Sequence, residues 1–289
     1  MSKISPFAIV HPHATLGCNV EIGPFSFIEP GVTIGDNCTV ASHVVIKSGV
    51  TIGNNNQFGE GCVIGGNPQH ISAQPPFGQV RIGDGNVFRE HVTVHCSLKE
   101  AGTTLIGNEN YLMINAHIAH DCVIGNNNII VNNVMLGGHV VIAHRAMLGG
   151  GSAIHQNCRV GSFAMVGGQA RVVQDVPPFM TVDGGTGKVV GLNLIGLRRG
   201  GRTSEDIKVL KSAYFTLYRN GLSWKEILQA FQEHYSTGAA AELTQFLLTS
   251  TNRGIVRDRA AQLRVIGSDN AENTDENNDG AATPIRNVG

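Results

Sequence analysis

A hydrophobic residue recurs every six positions from Val10 to Val172. Stepping by six across that span visits 28 positions, of which 25 are Val, Ile, Leu or Phe. The exceptions are His70, Pro76 and Glu100, and they fall in two stretches, 66–80 and 97–104, that read as loop excursions. Glycine often follows the aliphatic position, as at Gly17, Gly23, Gly35, Gly53, Gly83, Gly107 and Gly125. Neither a helix of period 3.6 nor a strand of period 2 produces this pattern. A parallel β-helix does: each hexad is a short strand plus a corner, with the aliphatic residue inside and Gly or Asn tolerating the bend. Three hexads close a triangular coil of 18 residues, and successive coils stack about 4.8 Å apart through backbone hydrogen bonds.

Composition fits such a shaft. Aromatic residues make up only 6% of the chain while glycine numbers 37, so the core is built from stacked corners and not from large rings. The formal net charge is −1, which implies no general attraction to nucleic acid. Residues 267–289 carry Asp269, Glu272, Asp275, Glu276 and Asp279 against Arg286 alone; this tail buries little and is expected to be disordered. The start, Met1 to Val10, has no apolar signal core, and no run is long enough to span a membrane, so a cytoplasmic location is expected. Cys38, Cys62, Cys122 and Cys158 share one phase of the repeat and read as small apolar fillers; there is no CxxC pair to suggest a thiolate zinc site.

The repeat sets the domain boundaries. Residues 1–180 form the shaft, and 181–202 a connecting loop rich in glycine. Residues 203–266 form a helical domain. Thr203 or Ser204 caps its first helix, in which Ile207, Leu210, Tyr214, Leu217 and Tyr218 share a face that ends at Asn220-Gly221. Ser223 and Glu226 make a capping box for a second helix, with Ile227, Phe231 and Tyr235, and a third is expected over 239–250.

A shaft of this kind needs no histidine, yet the chain has 12. The densest group lies between Asn115 and Cys122 and holds His117 and His120. Since Ile118 points inward, His120 is expected to face outward. The coil spacing aligns His120 with Gly138 and Gln156, and Asp121 with His139 and Asn157, while His155 lies just before the first column. Histidine is a natural general base, Asp121 can fix its tautomer, and the Gly138 N–H can stabilise an oxyanion. No Ser or Cys shares the strip, which favours direct attack by a substrate hydroxyl over a covalent acyl-enzyme. From spacing alone, three other roles stay open: polar filler between coils, a non-catalytic binding surface, and a three-histidine zinc site between subunits, for which the His117–His120 gap is short.

The segments LMINAHIAHDCVIGNNNIIVNN (112–133), GGHV (137–140), AIHQ (153–156), MVGGQARVVQDVPP (165–178) and GLNLIGLRR (191–199) resemble the acyl-carrier-protein–UDP-N-acetylglucosamine O-acyltransferase family of lipid A biosynthesis. The helical SEDIKVLKSAYFTLYRNG (204–221) and STNRGIVR (250–257) are similar too. The resemblance implies a left-handed shaft, a homotrimer, no cofactor and no metal. It also implies transfer of a 3-hydroxyacyl chain from acyl carrier protein to the 3-hydroxyl of UDP-N-acetylglucosamine. Carried over by position, His120 is the base, Asp121 its partner and Gly138 the oxyanion amide. Gln69, His70, His117, His139, His155 and Gln156 fall at substrate-binding positions, and Asn193 and Arg199 at nucleotide contacts. Gly168 falls where acyl length is limited and leaves room for a longer chain. An excess of cations including Arg159, Arg171, Arg198, Arg199 and Arg202 is expected to attract the acidic carrier.

The chain departs from the family pattern at four positions. His70 stands where an acid is expected, Ser72 where a lysine is, Ile195 where a glutamate is, and Gly200 where one arginine of a pair is. A modified acceptor, such as a 3-amino sugar nucleotide that would give an amide, therefore stays open. A related N-acyltransferase is the other enzymatic alternative, although it carries an extra N-terminal domain and these hexads begin by Val10.

Overall fold

The computed structural model describes residues 2–249 and 251–260. The acidic stretch 267–289, expected to be disordered, lies outside the described residues, as do 261–266. From Lys3 to Val182 the chain winds into a left-handed parallel β-helix of three faces. Among the described residues the faces carry 11, 9 and 8 strands, most of them two residues long. Strands on one face pair in parallel at the interval the repeat dictates, so that Ile118, Leu136, Ile154 and Val172 fall in one inward column. At the two excursions the interval widens from 18 residues to 30 at Phe58↔Phe88 and to 24 at Val94↔Ile118, the register shifting only between Ile64 and Gly66 where the first excursion leaves the shaft. The inward side chains are fully buried, Ile118, Leu136 and Ile130 at 0%, and each stabilises the stack by about 1.5–3 kcal/mol. Phe58 and Phe88 stack inside the shaft at 4.8 Å.

From Cys18-Asn19 onward, the regular corners are two-residue turns with a fixed division of labour. The second residue takes a left-handed conformation, as at Asn19 (φ 55°), His43 (59°), Asp121 (61°), His139 (60°) and Asn157 (62°). The first residue need not donate its N–H to the stack, for Pro24 and Pro30 both occupy it. One corner also carries a buried amide ladder of Asn56, Asn86, Asn110 and Asn128. The Asn86 Oδ1 accepts from the Asn110 backbone N–H at 2.9 Å, while its Nδ2 donates to Asn56 Oδ1 at 3.0 Å and to the Gly107 carbonyl at 2.9 Å. Cys38, Cys62, Cys122 and Cys158 are buried free thiols; burial pushes Cys62 and Cys122 up to about 12, so they stay neutral fillers.

Residues 181–202, read as a connecting loop, contain more structure than expected. The strand Val189–Leu192 returns antiparallel to Met180–Val182, and helix α1 spans Leu194–Arg199. Glycine content suggested a loop, but the coil end leaves an unpaired edge and the hairpin covers it. Helix α2 (Ser204–Tyr218) is capped by Thr203 in a capping box with Asp206, and α3 (Trp224–His234) by Ser223 with Glu226. Helix α4 spans Ala241–Leu248. The helices are tied to the shaft by buried Asp175, which accepts from Arg159 Nε at 2.8 Å and from Thr251 Oγ1 at 2.9 Å. The Arg159 guanidinium also donates to Thr249 and lies over the Phe246 ring at 4.1 Å. It is an anchor between shaft and helices, which corrects its reading as a surface cation for the acidic carrier.

Candidate active site

The corner following the strand His117–Ile118 places His120 first and Asp121 second. His120 leaves the shaft interior as expected, but it is not an exposed outward residue: only 8% of it is accessible. His139 covers one side, with ring centroids 5.2 Å apart, and His70 from the first excursion approaches at 6.2 Å. Below it lies Gly138, one coil further on. A Cβ there would overlap His120 Cε1 and lie 2.7 Å from Nε2, so the missing side chain makes room for the imidazole itself.

His120 Nδ1 meets Asp121 Oδ2 at 2.8 Å. The carboxylate accepts from Nδ1, which leaves Nε2 as the basic atom. Asp121 is in turn gripped by the second excursion, where Ser97 Oγ donates to Oδ1 and the Leu98 N–H donates to Oδ2 at 3.2 Å. Its own N–H donates to Thr104 Oγ1 at 2.8 Å. Burial pushes the Asp121 carboxyl up, but the hydrogen bonds from Ser97, His120 and Leu98 outweigh it and hold the group below its usual range. Ser97, Leu98 and Thr104 carry no direct sign of this role in their local sequence. The break in the repeat at 97–104 was the signal available, since long excursions from a rigid scaffold commonly carry functional groups.

A cleft of about 650 Å³ opens beside this corner along the nine-stranded face. It brings together Gln69, His70, His117, His120, Gly138, His155 and Gln156, all anticipated from sequence. His117 Nδ1 lies 2.9 Å from Thr93 Oγ1 and its ring meets His95 at 5.1 Å. Burial, with His95 adding to it, lowers its pKa to about 4, so at neutral pH it is an uncharged hydrogen-bonding group. Gly138 sits at the first corner position, the one elsewhere held by proline, and its N–H has no hydrogen-bond acceptor among the described residues.

Three anticipated groups lie elsewhere. His139 is at the edge, 3.8 Å from Asp121 Oδ2, and lines a neighbouring pocket with Asn157 and Arg253. Asn193 and Arg199 border a second pocket on the 11-stranded face with Ile129, Met147 and Met165. Asn193 also caps α1: its Oδ1 accepts from the Gly196 N–H and its Nδ2 donates to the Phe163 carbonyl, both at 2.9 Å. Gly168 stands at a corner between the 11- and 9-stranded faces, where a Cβ would come 3.3 Å from the Gly150 carbonyl. His120, Asp121 and His139 bring one donor atom each within 4.8 Å of one another, a set that can hold a divalent metal only by competing with the His120–Asp121 bond.

The arrangement is a base with an orienting carboxylate, an outward backbone N–H beneath it, and a polar cleft alongside. Comparison with known proteins agrees. A family model described as Udp N-acetylglucosamine O-acyltransferase, Domain 2, matches residues 175–256, and one described as Bacterial transferase hexapeptide matches 13–48, 31–66 and 103–138. The acyl-[acyl-carrier-protein]–UDP-N-acetylglucosamine O-acyltransferase of Burkholderia lata is 41% identical over 262 residues, spanning 89% of this chain and 100% of its own length. That of Halorhodospira halophila is 43% identical over 258 residues, again spanning 89% and 100%. The UDP-N-acetylglucosamine acyltransferase structure from Francisella novicida superposes with a TM-score of 0.86 at 38% identity, covering 90% of this chain and 95% of that one. The Bacteroides fragilis enzyme gives 0.84 at 36% identity, covering 88% and 99%. With 89% of this chain matched to the full length of relatives at 41–43% identity, this protein belongs to the acyl-[acyl-carrier-protein]–UDP-N-acetylglucosamine O-acyltransferase family.

Proposed function

We propose that the chain transfers a 3-hydroxyacyl group from acyl carrier protein to the 3-hydroxyl of UDP-N-acetylglucosamine, with His120 as general base. The observation that carries this is the His120 Nδ1 contact to Asp121 at 2.8 Å above the bare Gly138 backbone. His120 Nε2 takes the proton of the sugar hydroxyl as its oxygen attacks the thioester carbonyl. The Gly138 N–H faces the developing oxyanion. As the tetrahedral intermediate collapses, the C–S bond breaks and the imidazolium returns its proton to the departing thiolate. Asp121, held as a carboxylate by Ser97 and Leu98, stabilises that imidazolium.

The reading extends to assembly. The histidine cleft and the Asn193–Arg199 pocket lie on different faces of one shaft, so a single chain cannot close both around one sugar nucleotide. In a homotrimer, the nine-stranded face of one subunit meets the 11-stranded face of the next, and each acceptor is held by two subunits. Outward-facing Met135, Ile129 and Met147, all exposed in the single chain, suit such a contact. Gly168 would leave the acyl groove open to a longer chain. His120→Ala is the direct test, in an acyl-transfer assay with 3-hydroxyacyl carrier proteins of several lengths. The variant should assemble as the parent does and lose turnover; retained turnover would remove the general-base role.

A further inference from the structure

We propose that Arg145 supplies the second guanidinium that grips the nucleotide of the acceptor, in place of an arginine that position 200 does not carry. The inference rests on the nucleotide reading of Asn193 and Arg199. Gly200 ends α1 against Phe163, and a Cβ there would overlap Phe163 Cε1 and lie 2.9 Å from Cζ. Phe163 is itself fixed, because its carbonyl accepts from Asn193 Nδ2 and its N–H donates to the His144 carbonyl, each at 2.9 Å. These bonds hold the Phe163 backbone, and where its ring stands it occupies the space a side chain at position 200 would need.

The charge reappears one coil earlier on the same corner. Arg145 lies 5.9 Å from the Phe163 ring centroid and borders the pocket that holds Asn193 and Arg199. Neither Arg145 nor Arg199 makes a side-chain hydrogen bond or an ion pair among the described residues. Arg145 also occupies a left-handed position (φ 58°) in a corner column where Asn19, Asn37, Asn55 and Asn127 stand in other coils, together with Gly85, Glu109 and Phe163. Asn tolerates that conformation far better than Arg, so the guanidinium is kept at a local cost. Ile129, Met147 and Met165 form the apolar wall of the pocket. Two unpaired guanidiniums beside an apolar wall match a diphosphate joined to a flat base, since each planar fork can grip phosphate oxygens in pairs.

The test compares Arg145→Ala, Arg145→Lys and Arg199→Ala in the full-length protein, by acyl-transfer kinetics and by calorimetry with UDP alone. For Arg145→Ala the KM for UDP-N-acetylglucosamine should rise about tenfold to a hundredfold with kcat within about twofold of the parent. UDP affinity should fall in step, Arg145→Lys should recover only part of it, and the KM for the acyl carrier protein should not move. If Arg199→Ala weakens UDP binding and Arg145→Ala does not, the inference falls while the nucleotide reading stands. If neither does, both fall. If Arg145→Ala raises the KM for the carrier protein instead, the pocket serves the acidic carrier and the proposal is overturned.

Discussion

The His120 imidazole rests on Gly138 so closely that a Cβ on the glycine would overlap Cε1 and lie 2.7 Å from Nε2. Two residues 18 apart in sequence thus share one small space, and the absence of a side chain in one positions the ring of the other. Gly138→Ala should displace the base without straining the backbone, because Gly138 does not adopt a positive φ. A misplacement of that size should lower kcat on the order of a hundredfold, with the melting transition little changed. Full activity would show that the ring is free to move aside.

Asp121→Asn tests the tautomer. The carboxylate accepts from His120 Nδ1 and receives Ser97 Oγ and the Leu98 N–H. An amide turned to donate would force the proton to Nε2 and remove the basic lone pair from the cleft. The expected loss in kcat is about 10³- to 10⁴-fold, read in single-turnover transfer with saturating substrates. A loss of less than about tenfold would mean that the backbone alone orients the ring.

A second histidine should make the fold sensitive to acid. His117 is held down at about 4 by burial and by His95, from an ordinary value of 6.5. In the unfolded chain it takes a proton near that ordinary value, so falling pH favours unfolding between 6.5 and about 4 and has no such effect above 6.5. His95 shifts in the same direction, through burial first and His120 as well. His117→Gln should flatten the dependence of the urea midpoint between pH 7 and about 5. An unchanged slope would place the acid sensitivity elsewhere.

The amide ladder gives a stability prediction remote from the chemistry. Asn86→Ala strips the buried Asn110 N–H and Nδ2 of their shared acceptor and the Gly107 carbonyl of a donor, while Asn56 Oδ1 keeps only the backbone N–H of position 86. The cost should be about 3 kcal/mol or more, seen as a lower denaturant midpoint with an unchanged KM.

The interior of the shaft was legible because every coil must supply an aliphatic residue at a fixed phase. Ile118, Leu136, Ile154 and Val172 fall in register by counting alone. The same counting aligns His120, Gly138 and Gln156. The excursions were legible only as interruptions of the phase. Periodicity does not say where Ser97, Leu98 or His70 fold back, so neither the grip on Asp121 nor the cover over His120 was foreseen. The contents of 181–202 were missed for a related reason. The hairpin Met180–Val182 with Val189–Leu192 forms because the last coil offers it an edge, and local composition does not register that edge. Likewise the glycine at position 200 looked like a lost charge, whereas in the fold Phe163 fills that space.

The stack ends differently at its two extremities. Among the described residues, the strand Lys3–Ile4 is hydrogen-bonded on one side only, to Glu21–Ile22, whereas the far end is covered by the hairpin and the helices. Because each layer touches only its neighbours, the rod should peel from the Lys3 end, one layer at a time. Amide exchange would then slow progressively along the first coils. His120 lies several layers inside, so the reaction corner stays intact while the tip breathes.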